Sequence, residues 1–152
     1  MGSAIKIRYL HSAIANMQLT PIIAIHLSAA ICAIVIGPVA LWARKGRTQR
    51  PRLHRAFGYA FVTMMLATAV TALFIRDYTF PNIAGYTPIH LLVPFTLFSL
   101  FGAFWHLSRG NIAGHRRAMQ GLYIGACLIA GVFTLLPQRY LGKLLWTQLG
   151  LM

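Results

Sequence analysis

The chain has 152 residues, 58% of them hydrophobic and only 10% charged, with a mean hydropathy of +0.66. Soluble domains run near about 45–50% apolar and about 25% charged, and a domain this small keeps too much surface exposed to hide the excess. A water-soluble globule is excluded, and the lipid bilayer is the expected solvent. Against 14 Lys+Arg stands one acid, Asp77, which excludes paired-carboxylate hydrolysis, carboxylate cation cages and Asp/Glu proton relays. The basic residues fall in short loops between long apolar runs, so they read as membrane topology and not as a nucleic-acid surface.

A membrane span needs about 20 mostly apolar residues. Four segments reach that length, at roughly Pro21–Ala43, Pro51–Ile75, Pro88–Leu107 and Ile112–Leu136. Thr20-Pro21 and Thr87-Pro88 read as an N-cap followed by an N1 proline, and Asn111 as the cap of the last span. Pro38 and Pro94 lie inside spans and are expected to kink them. Cys32 and Cys127 fall in mid-membrane runs, as small core residues and not as a disulfide or a metal motif. The expected fold is an all-α integral membrane protein over 1–152, a four-transmembrane-helix bundle made of two tandem helical hairpins, at about 20–78 and 87–140.

Orientation follows from counting positive charges. Arg44, Lys45, Arg47, Arg50, Arg52, Arg55, Arg109, Arg116 and Arg117 share one face, nine in all; the other has five, Lys6, Arg8, Arg76, Arg139 and Lys143, offset by Asp77. The two basic loops are expected inside a bacterial inner membrane and both termini outside, with no cleavable signal peptide, because the first apolar run is too long and too late. Ile7, Leu10, Ile14 and Met17 recur at helical spacing, as do Leu141, Leu145 and Leu149. With Tyr9, Tyr140 and Trp146 nearby, the tails 1–19 and 141–152 read as interfacial helices.

The most informative feature is an internal duplication. IHLSAAICAIVIGPVALWARKGRTQRPRLHRAFGY parallels IHLLVPFTLFSLFGAFWHLSRGNIAGHRRAMQGLY. Ile-His-Leu opens both copies, at His26 and His90; Gly37 and Gly102 follow 11 and 12 residues later, then Trp42 and Trp105, then His-Arg at His54 and His115. Thr71-x-Leu-x-x-Arg76 matches Thr134-x-Leu-x-x-Arg139. Each copy is one hairpin, so the two relate by an axis along the membrane normal.

This arrangement places one histidine pair in each leaflet, His26 with His90 outside and His54 with His115 inside. At 1.5 Å per residue, His26 lies about 8 Å below the outer end of its span and His54 about 5 Å from the inner end. In a core about 30 Å thick the pairs stand ~15–20 Å apart. Such pairs suit two stacked b-type haems with His26, His90, His54 and His115 as axial ligands. Small residues would give a macrocycle room: Ala30, Ala33, Gly37 and Ala40 on the first span, Gly102 on the third, and Ala67, Ala69, Ala72, Ala126, Ala130 and Gly131 towards the outer leaflet. Arg52, Arg55, Arg116 and Arg117 flank the inner pair and Arg76 and Arg139 the outer, where propionates would be paired. The same arginines also satisfy the positive-inside bias, and the same small residues serve plain helix packing. His106 and His11 have no repeat partner and read as interfacial.

The strings HRAFGY, TPIHLL and HRRAMQGLYIGACLIAGVFTLLPQRYLG resemble a bacterial family of four-helix "predicted membrane proteins" of unknown function, over about residues 20–143. In architecture the chain also looks like transmembrane di-haem b-type cytochromes of the ascorbate-dependent ferric reductase kind. That resemblance implies the pairs His26–His90 and His54–His115, although none of the longer motifs of those cytochromes is present. The expected function is electron transfer across the bilayer through two bis-histidine haems, an oxidoreductase of quinol or ferric reductase type if enzymatic, with quinone or another redox carrier as partner and no nucleic acid. Two other readings stand beside it: transition-metal binding or transport through the same imidazoles, and a non-catalytic accessory subunit.

Overall fold

The computed structural model describes residues 20–43, 50–76, 78, 83–137 and 139–150. The expectations for the tail 1–19, for Arg44, Lys45, Arg47 and Asp77, and for His11 lie outside the described residues. Four helices among the described residues are long and apolar enough to cross a membrane. The first is α1 (Pro21–Trp42) and the second α2 (Pro51–Ala72). The third span opens with a 3₁₀ turn (Pro88–Leu91) and continues as α3 (Leu92–Ser108). The fourth starts as α4 (Ile112–Leu122), widens into a π-helical segment (Tyr123–Ile129) and ends as α5 (Ala130–Thr134). A short α6 (Tyr140–Gln148) follows. The protein is an all-α, four-helix membrane bundle.

Local chemistry sets the ends. The Asn111 side chain accepts the Gly114 N–H at 2.8 Å and caps α4, as its position before an apolar helix predicts. Thr87 and His90 form a capping box at the 3₁₀ turn, a use of His90 the sequence did not advertise. Pro94 is the third residue of α3, just after the change from 3₁₀ to α geometry. Thr20 precedes Pro21 as expected but makes no side-chain cap.

Each hairpin packs internally, α1 on α2 and α3 on α4, and the hairpins meet through α2 with α3 and α1 with the π segment. On α1 the buried residues are Ala29, Ala33, Gly37 and Ala40, all small, so the neighbouring backbones approach closely. Ala30, one place from that line, is half-buried and borders a cavity. Large apolar side chains such as Ile31, Val35, Val70, Phe98, Phe101 and Val132 are exposed, the distribution expected where the outer solvent is hydrocarbon. Cys127 is buried in the core, whereas Cys32, expected there too, is exposed.

The π segment ties the fourth span to the other three. Tyr123 donates its hydroxyl to the Ile34 carbonyl at 3.1 Å and its ring covers Gly37. Gly125 receives the ring of Phe95, and the Cys127 thiol donates to the Met65 sulfur at 3.5 Å.

Between α2 and the third span, Ile83 and Tyr86 exchange two backbone hydrogen bonds of 3.0 Å. Ala84 (φ 54) and Gly85 (φ 83) between them take the left-handed conformations of a tight two-residue turn. The Arg76 guanidinium donates to the Ala84 carbonyl at 2.7 Å and lies 3.8 Å over the Tyr86 ring.

Candidate functional site

Two cavities open between the spans, one near each end of the bundle, and each is bordered by one of the histidine pairs. At the end carrying the basic loops, a cavity of about 410 Å³ is lined by His54 and His115 together with Gly37, Ala40, Phe61 and Phe104. At the opposite end, a cavity of about 430 Å³ is lined by His26 and His90 under a wall of Ala30, Ala33, Ala69, Ala72, Ala126, Ala130 and Gly131. Both volumes lie within the ~300–1,000 Å³ of cofactor and small-ligand sites.

At the basic end, Nδ1 of His54 lies 2.8 Å from the Ala40 carbonyl, and Nδ1 of His115 lies 2.9 Å from the Ala103 carbonyl. A carbonyl only accepts, so in each ring Nδ1 carries the proton and Nε2 holds the lone pair. Ala40 belongs to the last turn of α1, where carbonyls have no helical partner; Ala103 offers its second lone pair. Both alanines are buried, and with only a methyl on each, the imidazole of the adjacent helix reaches the backbone. Metal-ligating histidines are held in this way, with the spare N–H on a carbonyl or carboxylate.

The two rings stand 6.5 Å apart between centres, with their planes at 83°. With metal–N bonds of about 2.0–2.1 Å and about 1.1 Å more from each nitrogen to its ring centre, imidazoles on opposite sides of one metal stand about 6.3 Å apart. A tetrahedral metal would draw the centres to about 5.2 Å by the same lengths. The observed separation is close to the longer of these two distances. Among the described residues no group of three or more His, Cys, Asp or Glu is placed to hold a metal ion, so a metal here would have to bring its other ligands with it. A porphyrin does that, and the donor set therefore fits a haem.

The opposite-end pair is built differently. His26 Nδ1 lies 3.1 Å from the Thr68 carbonyl and 3.0 Å from the Thr71 hydroxyl, which again protonates Nδ1 and leaves Nε2 open. The Thr71 hydroxyl itself donates to the Ala67 carbonyl at 2.7 Å, so it is free to accept from His26. His90, in contrast, has both ring nitrogens in use. Its Nε2 donates to the Ile75 carbonyl at 2.9 Å, and its Nδ1 accepts the Thr87 N–H at 3.1 Å. The Tyr86 ring stands edge-on to it at 5.1 Å. As it stands, the outer pair presents one open imidazole nitrogen and not two, and does not fit a bis-histidine haem.

The remaining expected residues divide. Arg55 and Arg116 border the basic-end cavity, whereas Arg52 and Arg117 are exposed and border neither cavity. Arg139 borders the opposite-end cavity. Arg76, its repeat equivalent, is instead engaged by the Ala84 carbonyl and the Tyr86 ring, because the turn at 83–86 folds back over it. Gly37 seats Tyr123, but Gly102 has nothing near its Cβ position and borders neither cavity. The alanines 40 and 103 are the equivalents that share a role, in register with Trp42 and Trp105 and two residues off the glycine match. His106 accepts from the Asn111 amide at 3.3 Å and packs on Gly114 at the α3–α4 junction. The carbonyl acceptors escaped sequence reading; the Thr71–Thr134 match in the repeat was the one signal pointing to them.

The model of one protein family, described as "Predicted membrane protein (DUF2306)", matches residues 23–138. No curated protein and no solved structure matches the chain.

Proposed function

The chain belongs to the DUF2306 family of predicted membrane proteins, and we propose that it is a haem-binding electron carrier of the membrane whose haem sits between His54 and His115. The observation that carries this reading is the pair of imidazoles with ring centres 6.5 Å apart beside one cavity, each with Nδ1 on an alanine carbonyl and Nε2 open. The group would supply one-electron chemistry, with its potential set by the two neutral imidazoles and the apolar wall. The protein's own residues hold and insulate it. Gly37, Ala40 and Gly58 leave room for a flat macrocycle, Phe61, Phe104 and Met119 keep water away, and Arg55 and Arg116 stand where propionates would be paired. The bundle sits in a bacterial inner membrane with the basic loops inside, and exchanges electrons with a quinone or another carrier.

The test is haem content, counted per chain after purification from haem-supplemented cells, with oxidised and dithionite-reduced spectra. The expected result is a low-spin b-type spectrum, with one equivalent lost in His54→Ala or His115→Ala and none lost in His106→Ala. Protein without a Soret band, or haem content indifferent to His54 and His115, overturns the reading.

A further inference from the structure

Hydroxyls inside membrane spans commonly donate back to the carbonyl three or four residues earlier, because no water is there to take the bond. Ser28, Thr63, Thr68, Thr71 and Thr134 all do so. Thr96 does not. It lies in α3 at 3% exposure, and its hydroxyl has no hydrogen bond to any of the described residues. Among those residues every side-chain oxygen or nitrogen without accessible surface has a partner. The Thr96 hydroxyl therefore keeps an open face, and the space it borders is the opposite-end cavity. Half-buried His26 borders the same cavity from α1, on the other hairpin. Its Nδ1 makes both of the ring's hydrogen bonds, to Thr68 and Thr71, and its Nε2 is open. The Thr68 and Thr134 hydroxyls and both nitrogens of His90 are already bonded, and most of the remaining wall is aliphatic.

We propose that the opposite-end cavity binds the reduced, quinol form of a lipid-soluble quinone, with one ring hydroxyl donating to Nε2 of His26 and the second ring oxygen paired with the Thr96 hydroxyl; the choice of a redox-active occupant rests on the electron-carrier reading given above. The chemistry of the two open atoms selects the occupant. With the ring proton on Nδ1, Nε2 of His26 only accepts, so the ligand must bring a donor there. A quinone carbonyl or a carboxylate brings none, whereas a quinol hydroxyl does. The Thr96 hydroxyl donates or accepts and so takes an oxygen of either kind. Ala30, Ala69 and Ala126 leave room for a flat ring, and the volume lies in the ~300–1,000 Å³ range of small-ligand sites. The lining includes the exposed side chains of Ile31 and Leu135, so the cavity reaches the lipid-facing surface and gives an apolar tail its exit.

The experiment titrates duroquinol, a tailless quinol, and duroquinone, its oxidised form, into the full chain in nanodiscs under argon, with empty nanodiscs correcting for partition into lipid. Haem content is counted on the same preparation, and ¹⁵N histidine NMR follows Nε2 of His26. The expected result is one duroquinol per chain, with duroquinone bound about tenfold more weakly, the effect of one hydrogen bond. Thr96→Val keeps the shape and removes the hydroxyl, and should weaken duroquinol about tenfold. His26→Phe should abolish the preference for the reduced form, and His106→Ala should leave binding unchanged. The Nε2 signal should move upfield with duroquinol and stay in place with duroquinone. Equal affinity for the two forms, an Nε2 signal that duroquinol does not move, or unchanged affinity in Thr96→Val each overturns this proposal; haem still held through His54 and His115 then leaves the first site standing. Duroquinol bound as expected by a chain that takes no haem overturns the first site and leaves this one.

Discussion

Substituting Gly37 by alanine tests how the fourth span is held to the first. A Cβ at residue 37 would stand 2.6 Å from Cδ2 and Cε2 of Tyr123 and 3.2 Å from Cε2 of Phe61. Comfortable carbon contacts lie at about 3.5–4.0 Å, so the tyrosine ring must withdraw by roughly 1 Å. It cannot do so freely, because its hydroxyl is bound to the Ile34 carbonyl at 3.1 Å. Overpacking costs about 1–3 kcal/mol and the strained or lost hydrogen bond about 0.5–1.5 kcal/mol, so Gly37→Ala is expected to destabilise by about 2–4 kcal/mol. Gly102→Ala is the control: no atom lies within 4 Å of its Cβ position, and the better helix propensity of alanine is worth up to about 1 kcal/mol in its favour. Unfolding free energies from steric trapping in mixed micelles would measure both. Tyr123→Phe in the Gly37→Ala background should cost less than in the native chain, because the hydrogen bond is already compromised. Equal stabilities for the two alanine variants would refute the packing of Tyr123 on Gly37.

Arg55→Gln and Arg116→Gln should each speed haem loss to a soluble acceptor several-fold, as expected for a charge-assisted hydrogen bond made neutral, while Arg52→Gln and Arg117→Gln leave the rate unchanged. Gly85→Ala should loosen the turn before the third span by about 1–2 kcal/mol, since φ is +83° and the new methyl would meet the Tyr78 ring; hydrogen exchange at the Ile83 and Tyr86 amides reads it. Trp146→Phe removes the indole bond to the Leu135 carbonyl at 2.9 Å and should free α6 by about 1 kcal/mol, seen as faster proteolysis at 140–148 with the bundle intact.

The architecture was legible because hydropathy and proline placement act locally. Four apolar runs, the Asn111 cap and the Ala33–Gly37–Ala40 line emerge where the residues alone put them. The histidine pairing was legible too, through the duplication, to the extent that each pair borders one cavity. What escaped reading depends on where backbone carbonyls point. Neither the tautomer of His26 nor that of His90 follows from residue identity; both follow from whether Thr68 or Ile75 offers the nearest acceptor. Arg76 and Arg139 occupy matching places in the repeat, yet Arg76 is bonded to the turn at 83–86 whereas Arg139 borders the opposite-end cavity. Gly37 and Gly102 differ by two residues in the register that aligns Ala40 with Ala103, and two residues turn a helix by about 200°, so Gly37 meets Tyr123 while Gly102 has no neighbour within 4 Å of its Cβ position.

The same sensitivity makes the π segment informative. Thr71 follows His54 by 17 residues, whereas Thr134 follows His115 by 19. In an unbroken α-helix two extra residues would carry Thr134 about 3 Å further along the axis and about 200° around it, away from the place its counterpart takes. The segment Tyr123–Ile129 lies between His115 and Thr134, and its wider i→i+5 winding accommodates added residues without rotating the helix beyond it by a full step for each. Gly131 and Thr134 consequently border the opposite-end cavity, as Thr68 does in the first hairpin. Their alignment does not come from His90, which is bonded elsewhere, nor from equal spacing in the sequence, which is lost. It comes from a local rewinding whose contacts with Ile34, Met65 and Phe95 fix the fourth span against all three of the others. A one-residue deletion within 123–129 is therefore expected to disturb the opposite-end cavity while His115 stays on Ala103, so that the haem content tied above by proposal to His54 and His115 is retained in the purified variant.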